Sequence, residues 1–175
     1  AVLMDGSQVI ARVKIITTED VASGIEAALS AILQRQSPEA VDLLTIGTTQ
    51  FTNAVVERKQ LSRVAAVRVC LPAGRGLMPR VDWPEDLAEV IDGGSYVIHG
   101  GHLYDGRALS ELQEKELFEL TQRLSDSQPA AVVVSCAFSP TQPDQEDQLV
   151  ARLAESLPHI RVCGSHVMGG LGLIE

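Results

Sequence analysis

Apolar residues follow two different periods along this chain, and the two periods alternate in its second half. Three runs rich in apolar residues predict strands: 63–70, 130–138 and 160–163. The run 130–138 is predicted to be buried on both faces. Between these runs, leucines recur at helical spacing after Ser110 and again after Pro143, which predicts two helices. Strands and helices in this order predict a parallel sheet with crossover helices, so the predicted fold class is α/β.

The first half is predicted to open with an antiparallel hairpin and a helix. Strands at Val2–Met4 and Gln8–Ile16 flank Asp5-Gly6, a dipeptide that favours a tight hairpin turn. The segment Thr17–Asp20 supplies a capping hydroxyl and acidic side chains for a helix start. Apolar residues then recur at helical spacing from Val21 to Leu33. With this hairpin, the predicted sheet content is mixed, antiparallel at the start and parallel later.

The region 71–92 is less regular than the rest because it carries three prolines. It is predicted to hold one short helix, at 85–90. We interpret the chain as a single domain spanning 1–175, with 71–92 as a possible irregular insertion.

Two turn signals follow that region. Segments 96–99 and 102–109 are predicted to pair around Gly100-Gly101, with a separate turn at Asp105-Gly106 as the alternative. The pattern Ser110-x-x-Gln113 is typical of a capping box, so the next helix is predicted to begin at Ser110.

Charge and cysteine usage exclude several classes of protein. The formal net charge of -9 repels phosphate backbones and anionic membranes, so we expect neither nucleic acid nor a membrane as partner. The cysteines Cys70, Cys136 and Cys163 are widely spaced and form no C-x-x-C motif, which indicates a reducing, cytoplasmic compartment. No segment approaches the roughly 20 apolar residues that span a bilayer.

Uncharged polar residues follow the strand predicted at 41–46 and open a short helix predicted at 51–58. These residues are Gly47, Thr48, Thr49, Thr52 and Asn53. Ligands of open α/β sheets lie beyond the carboxyl ends of strands, and helix N-termini attract anions, so the segment is a candidate phosphate site. The alternative is a helix cap within a threonine-rich turn. The chain has no G-x-x-x-x-G-K-[ST] phosphate loop.

A histidine pair, His99 and His102, is a candidate for zinc ligation. Zinc sites use three or four protein ligands, and no cysteine or carboxylate completes an obvious set here. The alternative is a plain turn at Gly100-Gly101, and the predictions therefore assign no metal ligand.

Four colinear segments resemble the N-terminal region of the hydantoinase/5-oxoprolinase family. They are Gly47-Thr48-Thr49-x-x-Thr52-Asn53-Ala54, Gly100-Gly101-His102-x-Tyr104-Asp105-Gly106-Arg107 with Ser110-x-Leu112, Val132-Val133-Val134-Ser135 with Phe138-Ser139-Pro140, and Ser165-His166-Val167 with Gly172-Leu173-Ile174-Glu175. Together they extend over nearly the whole chain, and four matches in order are more specific than any one of them.

The resemblance implies that the intact protein is an ATP-dependent hydrolase that opens cyclic amides such as hydantoin or 5-oxoproline. ATP would phosphorylate the amide oxygen, with Mg²⁺ sharing the phosphate charge. Thr48, Thr49, Thr52 and Asn53 would line the nucleotide–substrate cleft, while catalytic residues remain unassigned. The implied partners are a second hydantoinase-type subunit, further copies of the chain, or both.

The resemblance also implies a fold related to actin, Hsp70 and sugar kinases, which belong to the ribonuclease H-like class. Family members begin with a strand that carries an Asp-x-Gly-Gly-Thr phosphate loop, and this chain is expected to begin at the strand after it. The chain alone is therefore expected to be inactive and to hold no ATP. Two alternatives stay open: a subunit of an ATP-dependent ketone carboxylase of the same family, and a non-catalytic α/β interaction domain.

Overall fold

The computed structural model describes residues 1–16, 18, 20–34 and 37–168, and its internal contacts group the chain into two compact units. The first unit is Ala1–Asn53 and the second is Ala54–Glu175. The sequence predictions that concern Thr17, Glu19 and the segment 169–175 lie outside the described residues.

The first unit opens with the predicted hairpin. Strands β1 (Val2–Asp5) and β2 (Gln8–Arg12) pair antiparallel, and Gly6 adopts a φ of 56° in the turn between them. This φ lies in the left-handed region that glycine tolerates. The Asp5-Gly6 dipeptide therefore predicted the position of the turn correctly. Strand β2 ends at Arg12, before the predicted end at Ile16.

Helix α1 (Val21–Leu33) confirms the helical periodicity of the first half. Asp20 is its N-cap, and the carboxylate accepts hydrogen bonds from the backbone N–H groups of Ala22 (3.3 Å) and Ser23 (3.1 Å). Hydrogen bonds from the Ser23 hydroxyl and from these two N–H groups lower the pKa of Asp20. The cap is therefore a charged one, which suits the positive end of the helix dipole.

The prediction of a strand at 41–46 is wrong. These residues form no strand, and Leu43 and Leu44 are exposed although both are apolar. A strand needs a neighbour to satisfy its backbone N–H and C=O groups, and no described segment pairs with this one. The following helix, α2 (Gln50–Glu57), forms within one residue of its prediction.

The second unit is a four-stranded parallel sheet with helices on it, which confirms the predicted α/β class. Its strands are β3 (Val64–Leu71), β4 (Asp92–His99), β5 (Ala131–Cys136) and β6 (Arg161–Gly164). Its helices are α3 (Glu85–Val90), α4 (Glu114–Ser127) and α5 (Asp144–Ser156). The strand order is β4-β3-β5-β6. Along the chain, β4 is therefore added on one side of β3, and β5 and β6 are added on the other side. This reversal is the topological switch point at which open α/β sheets usually bind ligands.

Aliphatic side chains fill the core of this sheet, as the low aromatic content requires. The most buried members are Ala65, Val67, Val69, Leu124, Val132, Val134, Cys136, Leu149 and Leu153. Burial in this core raises the pKa of the Cys136 thiol to about 12, helped by the nearby Glu146 carboxylate. The thiol is therefore neutral at physiological pH and packs as a small apolar group.

Truncating Leu124 should destabilise the second unit strongly. Its side chain is fully buried, so Leu124→Ala removes packed methyl groups and leaves a cavity, at an expected cost of about 2–5 kcal/mol in the free energy of unfolding. Urea unfolding followed by circular dichroism measures the loss. Phe118→Ala is the matched control because Phe118 lies on the same helix but is 66% exposed. Equal losses for the two variants would contradict this account of the core.

Two predicted turn features differ in the structure. Segment 96–99 does not pair with 102–109, because it belongs to β4, whose partner is β3. The alternative turn is present instead: His102 bridges Ala108, and the Gly106 N–H donates to the Leu103 carbonyl at 3.0 Å. Among the described residues, no helix is long and apolar enough to cross a membrane.

The prediction of a capping box at Ser110 is wrong. Helix α4 begins at Glu114, and its N-cap is Gln113. The Ser110 hydroxyl donates to the Leu71 carbonyl (2.6 Å) and accepts from the Gly100 N–H (2.8 Å). It therefore joins the ends of β3 and β4, and this tertiary contact replaces the local cap.

Candidate functional site

A cavity of about 410 Å³ in the first unit brings together most of the polar residues that the sequence singled out. It is lined by Val21, Gly47, Thr48, Thr49, Gln50 and Asn53. Three of the four predicted binding residues, Thr48, Thr49 and Asn53, thus share one concave surface. Thr52, the fourth, is not among the lining residues.

Local hydrogen bonds at the start of α2 place these side chains. The Thr48 hydroxyl accepts from the Gln50 N–H at 3.1 Å, so it satisfies one free N–H group at the start of α2. This contact agrees with the alternative interpretation of the segment as a threonine-rich turn at a helix start. The Asn53 N–H donates to the Thr49 carbonyl at 2.9 Å. Within the described ranges, no hydrogen bond engages the Thr49 hydroxyl or the Asn53 carboxamide, which leaves both groups available to a ligand.

The cavity has no charged lining residue among those described, and two helices begin beside it. This setting suits an uncharged or an anionic ligand group. The first residue of α1 and the first residue of α2, Val21 and Gln50, both line the cavity, and helix N-termini carry partial positive charge.

The N–H groups of a first helical turn have no partner within the helix. In α2 the Gln50 N–H already donates to Thr48, so the N–H groups of Phe51 and Thr52 are the ones that can donate to a ligand. At the start of α1 the Asp20 carboxylate already occupies this role.

A second polar cluster lies at the carboxyl edge of the parallel sheet in the second unit. At its centre is Glu146, which lies in the first turn of α5 and is fully buried. Its carboxylate accepts four hydrogen bonds, from the Cys136 N–H (2.8 Å), the Ser165 hydroxyl (2.9 Å), the His166 N–H (2.9 Å) and His166 Nδ1 (2.8 Å). The Ser139 hydroxyl lies 3.4 Å from that of Ser165. We call Glu146, Ser139, Ser165 and His166 the Glu146 cluster.

Glu146 is a buried anion that joins three elements. Burial raises the pKa of its carboxyl, but the hydrogen bonds from His166, Ser139 and Ser165 outweigh burial and leave the pKa below its ordinary value. The carboxylate therefore connects the first turn of α5 to the ends of β5 and β6. Sequence reasoning missed this residue, because its only local signal is an acidic first turn of a helix.

Acidification should weaken the fold through this carboxylate. A lowered folded-state pKa stabilises the protein above the unfolded value, 4.5, and that contribution disappears as the pH falls below 4.5 through the folded value. We expect Glu146→Gln to show a shallower decline in the free energy of unfolding between about pH 5 and pH 3. Urea unfolding at a series of pH values measures the slope. Glu155→Gln, at an exposed position of the same helix, should keep the wild-type slope; equal slopes for all three proteins would contradict this.

The crevice at the switch point is closed by the loop that follows β4. The Gly101 N–H donates to Gln145 Oε1 (2.6 Å), and the His102 N–H donates to the Ala137 carbonyl (3.0 Å), so the loop reaches from β4 across to the end of β5. Gly100 adopts a φ of 134°, and a Cβ there would lie 2.4 Å from Val69 Cγ1. Only glycine fits so close an approach.

The histidine pair on this loop does not converge on a common point. His99 Nδ1 contacts Glu116 of α4 at 2.7 Å, whereas His102 Nε2 lies 3.3 Å from Asp144 of α5. No group of three or more potential metal ligands occurs in the part of the chain that the structure describes. The turn interpretation of His99-Gly100-Gly101-His102 is therefore the better one.

Comparisons with known proteins agree with the motifs and the fold. The family model described as hydantoinase/oxoprolinase N-terminal region matches residues 1–157. Among solved structures, the chain is similar to an ATP-dependent caprolactamase from Pseudomonas jessenii, with 20% identity and a TM-score of 0.61 over 95% of this chain and 26% of that one. It is also similar to a nucleotide-free acetone carboxylase, with 19% identity and a TM-score of 0.57 over 83% of this chain and 24% of that one.

The two structural similarities establish the fold, and the family model goes further. The chain spans about a quarter of the length of both solved proteins. No curated protein matches it. Because the family model covers most of the 175 residues, the chain belongs to the hydantoinase/oxoprolinase N-terminal region family.

Proposed function

We propose that this chain is the N-terminal region of an ATP-dependent enzyme that hydrolyses a cyclic amide such as hydantoin or 5-oxoproline. The observation that carries the proposal is the cavity at the start of α2, where Thr48, Thr49 and Asn53 present uncharged hydrogen-bonding groups beside a helix N-terminus. Such a surface suits a phosphate or a ring carbonyl, because both are hydrogen-bond acceptors.

The lining of this cavity fits a phosphate better than it fits Mg²⁺. Hydroxyl, amide and backbone N–H groups donate to phosphate oxygens, whereas Mg²⁺ prefers carboxylate, phosphate and water oxygens. None of the described lining residues carries a carboxylate. In this proposal Mg²⁺ would arrive with the nucleotide, and the chain itself would contribute the hydrogen-bond donors that hold a phosphate.

Cyclic amides resist water because the nitrogen donates electron density to the carbonyl carbon. When bound, ATP with Mg²⁺ supplies the phosphoryl group that activates the amide oxygen. The chain's own residues then have two tasks. The Thr49 hydroxyl and the Asn53 carboxamide, which have no partner among the described residues, orient the acceptor oxygen. The N-terminus of α2 stabilises negative charge as it develops. Thr48 is a positioning residue, since its hydroxyl accepts from the first N–H of α2.

A second candidate is an ATP-dependent ketone carboxylase, which the similarity to acetone carboxylase favours. The same cavity would then orient a ketone oxygen during activation. The proposal in either form includes a cytoplasmic location and a partner, either a second hydantoinase-type subunit or another copy of the chain. The remaining alternative is an interaction domain without catalysis.

Phosphate release from ATP distinguishes these functions. The experiment uses the intact protein that contains this chain, co-expressed with any adjacent large subunit. Hydantoin, 5-oxoproline and caprolactam are tested as cyclic amides, and simple ketones are tested with and without bicarbonate. Stimulation by a cyclic amide is the expected result. Stimulation by a ketone only with bicarbonate would assign the carboxylase function, and no stimulation by any compound would overturn both.

A further inference from the structure

One edge of the parallel sheet lacks the features that usually prevent strands of two molecules from pairing. Strand β4 forms this edge: it pairs with β3 on one side, and no described strand pairs with its other side. Such an edge leaves backbone N–H and C=O groups without a strand partner. Proteins usually protect an edge with charged side chains, with proline or by keeping the strand short. The stretch Ser95–Ile98 of β4 contains no charged residue and no proline.

The opposite edge of the sheet is protected by its length. Strand β6 has four residues and leads directly into Ser165, which is buried in the Glu146 cluster, whereas β4 has eight residues. A contact between the edges of two molecules therefore gains more backbone hydrogen bonds at β4 than at β6.

A groove of about 180 Å³ lies between the β4 edge and helix α4. Ser95–Ile98 form one side of this β4 groove, and Glu116, Glu119 and Arg123 supply the charged groups of the other. The His99 N–H, at the carboxyl end of β4, donates to Glu116 at 2.8 Å, so α4 begins at that end and runs back along the strand. Arg123 follows about two turns later, about 10 Å along the helix axis, and lies toward the start of β4.

The order of charges along the β4 groove is self-complementary. Acidic side chains lie toward its carboxyl end and a basic side chain lies toward its start. An antiparallel pairing of two β4 strands about a two-fold axis brings Arg123 of each copy to Glu116 and Glu119 of the other. Within the described ranges, Arg123 is exposed and makes no ion pair, and Glu119 makes only a 3.9 Å contact with Lys115. We propose that the β4 groove binds a second copy of the chain, so that the two sheets join through β4.

A second copy fits this groove better than an unrelated peptide does. An extended peptide requires only the strand edge and its side-chain pockets. The opposed acid and base along α4 match when the groove faces its own copy, and the two-fold axis makes each contact twice. The inference rests on the proposed function only in taking another copy of the chain as the partner. Sedimentation tests this contact and phosphate release tests the chemistry, so either can fail alone.

Sedimentation equilibrium of the 175-residue chain, with charge reversals in the groove, tests the proposal. The wild type is expected to form a dimer in reversible equilibrium with the monomer. Arg123→Glu and Glu119→Arg should each raise the dissociation constant of the dimer at least about 10-fold, because each places like charges together twice. The double variant should dimerise more tightly than either single variant, since it exchanges acid and base across the axis. Arg161→Glu is the matched control, because it makes the same charge change on the opposite edge, at β6.

Hydrogen exchange reports the strand contact directly. Backbone N–H groups of Ser95–Ile98 should exchange more slowly as the protein concentration rises, because those on the outer side gain strand partners in the dimer. The N–H groups of β6 should exchange at the same rate at all concentrations. Circular dichroism checks that the variants keep the wild-type fold, as expected for exposed positions.

Three results would overturn the proposal. The first is a single monomeric species up to the solubility limit of the wild type. The second is a dimer that Arg161→Glu weakens and that Arg123→Glu and Glu119→Arg leave unchanged, which would place the contact at β6. The third is a dimer in which the N–H groups of β4 gain no protection.

Discussion

Turnover of the proposed cyclic-amide hydrolase will fall about 10²–10³-fold when Thr49 is replaced by valine. Valine keeps the shape of threonine and removes only the hydroxyl. Thr49 lines the cavity at the start of α2. Within the described ranges its hydroxyl has no hydrogen-bond partner. A donor held in place before the reaction is worth most when negative charge develops in the transition state, so the loss should appear in kcat. Steady-state phosphate release measures it.

The matched control for this prediction is Thr52→Val. Thr52 lies on α2, three residues after Thr49, and belongs to the same motif, but it is not among the residues that line the cavity. Its hydroxyl should therefore contribute little to turnover, and kcat should stay within about threefold of wild type on this account. Unchanged turnover in Thr49→Val would mean that Thr49 contributes only to the structure at the start of α2 and makes no ligand contact. Equal losses in both variants would point to the fold of α2 and not to a ligand contact.

Replacing Glu146 with alanine is expected to have the largest effect on stability. The substitution leaves the Cys136 N–H, the Ser165 hydroxyl and two groups of His166 without their acceptor in a buried place. Unsatisfied buried donors cost about 1–3 kcal/mol each when water cannot reach them. Partial relaxation and water entry reduce the sum, so we expect a loss of about 3–5 kcal/mol in the free energy of unfolding.

Urea unfolding of Glu146→Ala and of Glu155→Ala makes this comparison within one helix. Glu155 is exposed near the end of α5, and its removal should change stability by less than about 0.5 kcal/mol. A loss below about 1 kcal/mol in Glu146→Ala would show that solvent replaces the carboxylate easily. In that case Glu146 would not be the connection between α5 and the ends of β5 and β6.

The second unit departs from the usual ligand-binding pattern of open α/β sheets. Its switch point lies between β3 and β5, but the Gly100–His102 loop fills the crevice there and is held by Gln145. The polar groups at this edge are instead concentrated one strand further, around Glu146 and His166. This placement puts the buried Glu146 carboxylate beside the ends of β5 and β6 and not at the switch point.

Periodicity by itself determined most of the second unit. The buried strands at 63–70 and 130–138 and the helix after Pro143 are found close to their predicted positions. An apolar run predicts a strand, and apolar residues every three or four positions predict a helix with one buried face. Both are local consequences of side-chain direction, so they can be read without knowledge of the partner elements. The predicted burial of 130–138 on both faces is wrong, because burial alternates along β5 and Val133 is 38% exposed.

Family membership was also present in the sequence, because it depends on the order of motifs. The sequence singled out the segment Gly47–Ala54 before any geometry was available, and most of its polar residues line the cavity. The same residue types are also the preferred helix caps, so the sequence left both interpretations open. The sequence could not separate Thr48, whose hydroxyl accepts from the first N–H of α2, from Thr49, whose hydroxyl has no partner among the described residues. That distinction depends on rotamers and backbone angles.

Only the tertiary structure decided which polar residues act together. Ser110 has the local signature of a helix cap. Its hydroxyl instead donates to the Leu71 carbonyl at the end of β3 and accepts from the Gly100 N–H just after β4. Residues 41–46 have the composition of a strand, but without a neighbouring strand among the described residues they form none. Glu146 has no sequence signal beyond its place in an acidic helix turn, and its importance comes from donors on β5 and after β6. Hydrogen bonds between distant segments depend on how strands are ordered in the sheet, and no local pattern of apolar and polar residues encodes that order.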